Sequence, residues 1–381
     1  MAARGTSTAV ACDVVPGKAW FAGRHARGVV EHVDLRERPE ALATPGWWAL
    51  VGEFDGRVDA WRFAAVDDDV PDRAPAGGGP QGADAWHGPP ADAWTSSLDR
   101  AAYVAAVERV RGHVRDGLVY QANLCRVLAA PLAAGPRGGA AGVVGSAEPD
   151  ARALAARLAA GNPAPFAGGV HVPAGGPVPG AWVVTASPEL FLRVRDGVVT
   201  SGPIKGTATT ADGLGAKDRA ENVMITDLVR NDLQQVCVPG TVRVTDLLAL
   251  EQHPGLVHLV STVAGDLEPA VRDAPDLLAR LLDATYPPGS VSGAPKSSAL
   301  RVIAELETVP RGPYCGLVGW VQVGDDGTTT AELAVGIRTF WWRDGVLRFG
   351  TGAGITWGSD AAHEWAETEL KAARLVALAS A

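Results

Sequence analysis

The stretch that decides the fold is 47–66, WWALVGEFDGRVDAWRFAAV, in which two strand-like apolar runs flank Asp55-Gly56, a dipeptide suited to a tight turn. It reads as an antiparallel hairpin, and the same pattern returns downstream. AWVVTASPELFLRV (181–194) and GVVTSGPIKGT (197–207) read as strands, as do CGLVGWVQV (315–323), AELAVGIRTFWW (331–342) and VLRFGTG (346–352). Helical spacing is confined to fewer segments. Ser97 and Asp99 precede Tyr103, Val107, Val110 and Val114, a capped apolar stripe that leads into the strand LVYQANLCRVL (118–128). Further helices are expected over about 218–235, about 296–306 and from about 360 to the end. Hairpins outnumber strand-helix-strand units, so the expected class is α+β: large antiparallel sheets with helices packed outside. No internal repeat is visible.

Composition narrows the function. The 381 residues suffice for a large core, and no apolar run approaches the roughly 20 residues that cross a bilayer. A net charge of -9 argues against nucleic acid or an anionic membrane as partner, since both reward clustered Lys and Arg. Cys12, Cys125, Cys237 and Cys315 are scattered without a CxxC pair, which fits reduced thiols in the cytoplasm. The short small-residue stretch before Cys12 lacks the long apolar segment of a signal sequence. Abundant Ala, Gly, Pro and Arg resemble the product of a GC-rich genome, so Gly and Pro counts carry little weight. The Asp-, Gly- and Pro-rich stretch 67–90 and the Ala- and Gly-rich stretch 131–145 read as surface loops.

Several residues could carry chemistry, each with an ordinary alternative. Lys205 stands in SGPIKGT, read as a turn at a strand end; a lone Lys there is ordinarily solvated. A lysine nucleophile must be neutral, and at an unperturbed pKa of about 10.4 only roughly one molecule in 2,500 is neutral at pH 7, a deficit of about 4.6 kcal/mol. Glu189 opens the apolar run Leu190-Phe191-Leu192; it is either a strand-end charge or, if desolvated, a general acid near neutrality. Glu221 shares the helical face of Ile225 and Leu228, where an acid can simply serve the helix dipole. Glu364, Glu367 and Lys371 lie at i, i+3 and i+7, which suits a surface ion pair; carboxylates from two helices also suit magnesium. Gly350, Gly352 and Gly354 follow a strand and could present amides to a carboxylate, yet their spacing is not the dinucleotide fingerprint, and SGAPKSS is not a phosphate loop. His258 and Arg338 have structural readings as a satisfied strand histidine and a partner of a surface acid.

Their order along the chain, VYQANL, SPELF, PIKGT, KDRAENVMITDLVRNDL, HLVSTV, PPGSVSGAPK, RGPYCGLVGW, GIRTF, GAGI and EWAETELKAARL, resembles the chorismate-binding enzymes from about residue 98 onward. The resemblance implies that family's fold, with residues 1–95 packing on a catalytic region at 96–381. Members that add water to chorismate carry Lys where Gln121 stands, so the resemblance implies ammonia as nucleophile. Lys205 matches the PIKGT lysine of aminodeoxychorismate synthases, where anthranilate synthases usually have Ala. On that match Lys205 attacks ring carbon 2, Glu189 protonates the departing 4-hydroxyl, and ammonia resolves the adduct at carbon 4. Glu221, Glu364 and Glu367 are implied as ligands of Mg2+. Arg338, Lys371 and the amides of Gly352 and Gly354 are implied carboxylate clamps, with Gly206, Thr207, Tyr314 and His258 around the substrate. Ammonia is expected from a separate glutaminase subunit, because no cysteine sits in a Gly-x-Cys-x-Gly elbow. The N-terminal region lacks the Leu-Leu-Glu-Ser motif of tryptophan-regulated anthranilate synthases, which favours the folate-type reading. Two departures flank the implied site: Ala-Thr-Thr follows PIKGT in place of Pro-Arg, and GITWGSD replaces GIVADSD. An anthranilate or 2-amino-2-deoxyisochorismate synthase, and a silent paralogue that binds chorismate or a glutaminase, remain the alternatives.

Overall fold

The computed structural model describes residues 14–68, 85–133, 135–136, 146–208, 210–253 and 256–381; at 135–136, 146–147, 207, 253 and 256 it describes the backbone alone. Most of the two expected loops, 67–90 and 131–145, and Cys12 therefore lie outside the described residues.

The expected hairpin is present as strands Gly46–Gly52 and Val58–Asp67, in register Trp47 to Phe63 and Ala49 to Trp61, with Gly56 at φ +102° in the turn. Trp47 and Trp48 point to opposite faces and both are buried, so this strand lies between two packed layers. Trp47 stacks on Trp320, their centroids 6.5 Å apart.

Hydrogen bonding runs outward from the hairpin in both directions, and every strand pairing among the described residues is antiparallel. One way it passes through Leu317–Val323, Thr329–Val335, Leu190–Arg195, Val198–Gly202 and Leu256–Asp266, the last flanked by Arg243–His253 and Ile204–Ala208. The other way it passes through Arg24–Asp34, Val15–Phe21, Phe166–Val172, Ala181–Ser187, Thr339–Arg343, Val346–Ile355 and Gln121–Pro131. The fold is the expected α+β type.

Helices α1 (Arg100–Arg115), α2 (Ala151–Gly161), α3 (Ala216–Leu233), α4 (Pro269–Arg272), α5 (Leu277–Thr285), α6 (Lys296–Leu306) and α7 (Ala361–Ala379) pack on these sheets. In α1, Tyr103, Val107 and Val110 are fully buried as their spacing predicts, each contributing about 1.5–3 kcal/mol. Asp99, not Ser97, caps the helix: its Oδ1 accepts from Ala102 N at 2.8 Å, while the Ser97 hydroxyl accepts from Val127 N. The strand after α1 starts at Gln121 rather than 118, and Leu118 and Tyr120 are exposed. None of these helices is long and apolar enough to cross a membrane.

Candidate active site

The PIKGT segment is a bulged strand rather than a turn. Ile204–Ala208 pairs with Leu256–Asp266, but the register shifts between Ile204 and Thr207, and Gly206 takes up the shift at φ +84°. A bulge re-aims the side chain beside it. Lys205 is half-buried, and its Nζ lies 3.2 Å from where a Cβ on Gly354 would stand; Gln121 Nε2 lies 2.2 Å from the same point. The Lys205 amino group, the Gln121 amide and the bare Gly354 backbone therefore meet. Gln121 is 1 % exposed, and neither its Oε1 nor its Nε2 has a hydrogen-bond partner. An unsatisfied buried amide costs about 1–3 kcal/mol per group, a cost that a polar ligand in the cleft removes.

Glu189 fills the gap between Ala181–Ser187 and Leu190–Arg195 and is 3 % exposed. Its backbone is fixed on both sides: the N–H donates to Ser187 Oγ at 3.2 Å, and the carbonyl accepts from Val335 N at 3.0 Å. Burial pushes its carboxyl up to about 7, against the opposing pull of a Ser290 hydrogen bond, the Lys205 charge and the Ile204 amide. Near neutral pH it holds and releases a proton with equal ease, the property of a general acid.

Three carboxylates approach from two helices, Glu221 from α3, and Glu364 and Glu367 from α7. Glu364 is 2 % exposed. Lys217 Nζ lies 3.0 Å from Glu364 Oε1 and 3.7 Å from Glu221 Oε1. Even so, Glu221 Oε1 and Glu364 Oε2 are buried without a hydrogen-bond donor. Burial raises the Glu221 carboxyl, and the neighbouring Glu364 and Glu367 charges add to this despite Lys205 and Lys217. Burial also acts on Glu367, but Lys371 outweighs it and holds that carboxyl low, pairing with Oε1 at 2.6 Å. Among the described residues no three acidic, His or Cys side chains form a ready-made metal cage. Orphaned oxygens and mutual repulsion nonetheless describe a site short of positive charge, and an all-oxygen donor set fits a hard dication such as magnesium.

Cationic and amide donors complete the cleft. Arg338 is half-buried, with no carboxylate in ion-pair reach among the described residues; burial lowers its guanidinium from the usual value. A buried cation without a counter-charge is a ready anion site. Lys371 Nζ donates to Gly352 O at 3.1 Å. In a strand a residue's C=O and N–H face the same edge, so Gly352, and with it Gly354, presents its N–H away from Gln121–Pro131 and toward Lys371. His258 is buried in Leu256–Asp266, opposite Thr207 in register; the Thr207 side chain and Thr209 lie outside the described atoms. Tyr314 stands behind the glycine strand, its ring filling the space a Cβ on Gly350 would need and its hydroxyl 3.9 Å from Cys125 Sγ. Trp357, in the GITWGSD turn, is exposed, while Asp360 of that turn caps α7 through His363 N.

Two residues join the site that the sequence reading does not single out. Lys217 had a signal, its i, i+4 spacing to Glu221. Ser290, which hydrogen-bonds Glu189 from a Gly-Ser turn, had none.

A profile described as chorismate binding enzyme matches residues 64–377. The chain belongs to the chorismate-binding enzyme family. Among relatives of this family, anthranilate synthase component 1 of Streptomyces coelicolor is 38% identical over 72% of this chain and 50% of its own length. Aminodeoxychorismate synthase component 1 of Klebsiella aerogenes is 34% identical over 74% of this chain and 59% of its own. The chain thus spans between half and three-fifths of these two relatives. The crystal structure of anthranilate synthase component I from Streptococcus pneumoniae matches the fold with a TM-score of 0.70 at 22% identity, over 99% of this chain and 94% of that one.

Proposed function

We propose that this chain is the synthase component of aminodeoxychorismate synthase and replaces the 4-hydroxyl of chorismate with an amino group, as a step toward para-aminobenzoate and folate. The observation that carries the reading is Lys205 re-aimed by its bulge into the cleft, against Gln121 and Gly354 and within the field of Glu189. The uncharged Lys205 amine attacks ring carbon 2, the ring double bonds shift, and the carbon 4–oxygen bond breaks. Glu189 gives its proton to the departing hydroxyl, which leaves as water. Ammonia then attacks carbon 4, the double bonds shift back, and the bond to Lys205 breaks, which restores the uncharged amine and leaves the product nitrogen as an ammonium carrying all three of ammonia's hydrogens. Two substitutions with accessible barriers replace one difficult step. Gln121 cannot take a proton; its amide oxygen accepts from ammonia and orients it. Arg338, Lys371 and the Gly352 and Gly354 amides hold the substrate carboxylates, with Thr207, His258 and Tyr314 about the pocket. Glu221, Glu364 and Glu367 would hold magnesium, whose charge would offset the ring carboxylate. Ammonia comes from a separate glutaminase subunit, in a cytoplasmic heterodimer; Cys125, Cys237 and Cys315 are all free thiols, as that compartment requires.

A second reading, amination at carbon 2 as in an anthranilate or 2-amino-2-deoxyisochorismate synthase, draws support from the 38% identity to the Streptomyces protein. In it Lys205 only binds. Incubating the protein with chorismate, magnesium and ammonium and identifying the amine by mass and chromatography separates the two: a 4-amino product supports the first, a 2-amino product or anthranilate rejects it.

A further inference from the structure

Glu189 lines a cavity of about 20 Å³. Its polar lining is Glu189, Asp232, Ser201, Ser290 and Thr285, and its remaining walls are mostly Leu, Val and Pro. All five polar side chains are buried. A water needs roughly 10–15 Å³ and two to four polar partners, and this cavity supplies both. Asp232 is in turn tied to Lys296: Nζ lies 2.8 Å from Asp232 Oδ2 and donates equally closely to Thr285 O. The Lys296 side chain is 18% exposed, so the far end of this line reaches solvent.

The proposed reaction leaves Glu189, only 3 % exposed, without its proton once per turnover. We propose that the cavity holds one water and that this water joins Glu189 to the Asp232–Lys296 pair as a proton-return relay. The inference rests on Glu189 acting as the general acid. Lys296 gives a proton to the Asp232 carboxylate, Asp232 gives one to the water, and the water passes its other hydrogen to the Glu189 carboxylate. The water is unchanged, and Lys296 takes a proton back from solvent. The charged groups acting on Glu189 are Lys205 and Lys371, and the one acting on Asp232 is Lys296. Burial raises both carboxyls, which brings each nearer the neutral form that a relay must visit. Asp232 and Ser201 are positioning residues in this scheme, since neither touches substrate.

Rapid-quench kinetics on Asp232→Asn and Ser201→Val test it. Asn cannot pass a proton, and Val fills the cavity while leaving the Asp232–Lys296 pair intact. Both variants should form the first adduct at the wild-type rate within about twofold, yet turn over about ten- to a hundredfold more slowly, with a larger solvent deuterium isotope effect. Wild-type turnover and isotope effect in Ser201→Val would overturn the relay, and that variant decides alone if Asp232→Asn does not fold. A crystal structure should show an ordered water bonded to Glu189 and Asp232; a dry cavity would overturn it too. A wild-type protein that is active but indifferent to both substitutions rejects the relay alone, whereas one with no aminating turnover rejects the functional reading beneath it.

Discussion

Lys217 Nζ stands between Glu364 and Glu221, 3.0 Å from the one and 3.7 Å from the other, and so places a single positive charge where the two helices bring their carboxylates together. One ammonium leaves two buried carboxylate oxygens without donors. The positive charge supplied there is therefore only partial compensation.

Lys217→Met should leave Glu364 as an uncompensated buried acid, lowering the melting temperature in the absence of divalent ions, and magnesium should restore more stability to this variant than to wild type. Glu221→Gln and Glu364→Gln should each weaken magnesium binding at least about tenfold by calorimetry. Unchanged magnesium affinity in both would remove these residues from the ligand set.

Lys205→Ala should abolish the covalent adduct detected by intact mass after mixing with chorismate. An adduct of wild-type yield in the variant would reject Lys205 as nucleophile.

With the Glu189 carboxyl at about 7, kcat/KM should decline as pH rises through that value, because the acid form is lost. The same raised carboxyl favours the folded state at low pH, a contribution of about 3 kcal/mol that is lost between about pH 4.5 and 7. Glu189→Gln should lose about 10²–10⁴ in turnover and show a flatter stability profile in urea melts at pH 5 and pH 8. A variant whose stability falls with pH as steeply as wild type would contradict the assigned shift.

Arg338→Met should raise the KM for chorismate roughly ten- to a hundredfold, equivalent to about 1.5–3 kcal/mol, while leaving the melting temperature unchanged or higher, since a desolvated charge without an acidic partner among the described residues is removed. A lower melting temperature with an unchanged KM would make Arg338 a structural residue.

Gly354→Ala introduces a methyl 2.2 Å from Gln121 Nε2 and 3.2 Å from Lys205 Nζ. Gly354 does not occupy the left-handed region, so the backbone tolerates alanine and the fold should persist. Displacing both side chains should cost about a hundredfold in turnover. Retained activity would mean that the Lys205 amine does not work at this position.

Much of the fold was legible because local signals agreed with the tertiary outcome. The Asp55-Gly56 turn marked its hairpin, the Tyr103, Val107, Val110 stripe marked α1, and the glycine strand Val346–Ile355 was followed after a short turn by α7. The strands Val15–Phe21 and Arg24–Asp34, the hairpin of Arg243–His253 with Leu256–Asp266, and helices α2 and α5 were not read. In Arg243–His253 the reason is physical: Leu247 and Leu250 are exposed, so its apolar residues do not alternate with burial.

By itself the sequence determined the antiparallel class, the family pattern and the residue types available for acid, base, cation and metal roles, because these depend on spacing and side-chain chemistry along a single strand or helix. Only the tertiary structure decided that PIKGT is a bulge, that Glu189 is desolvated, that Lys217 divides the carboxylates and that Arg338 has no acidic partner among the described residues. Each of these depends on which distant segments exclude water and charge from one another, and dielectric environment is a property of packing rather than of sequence order.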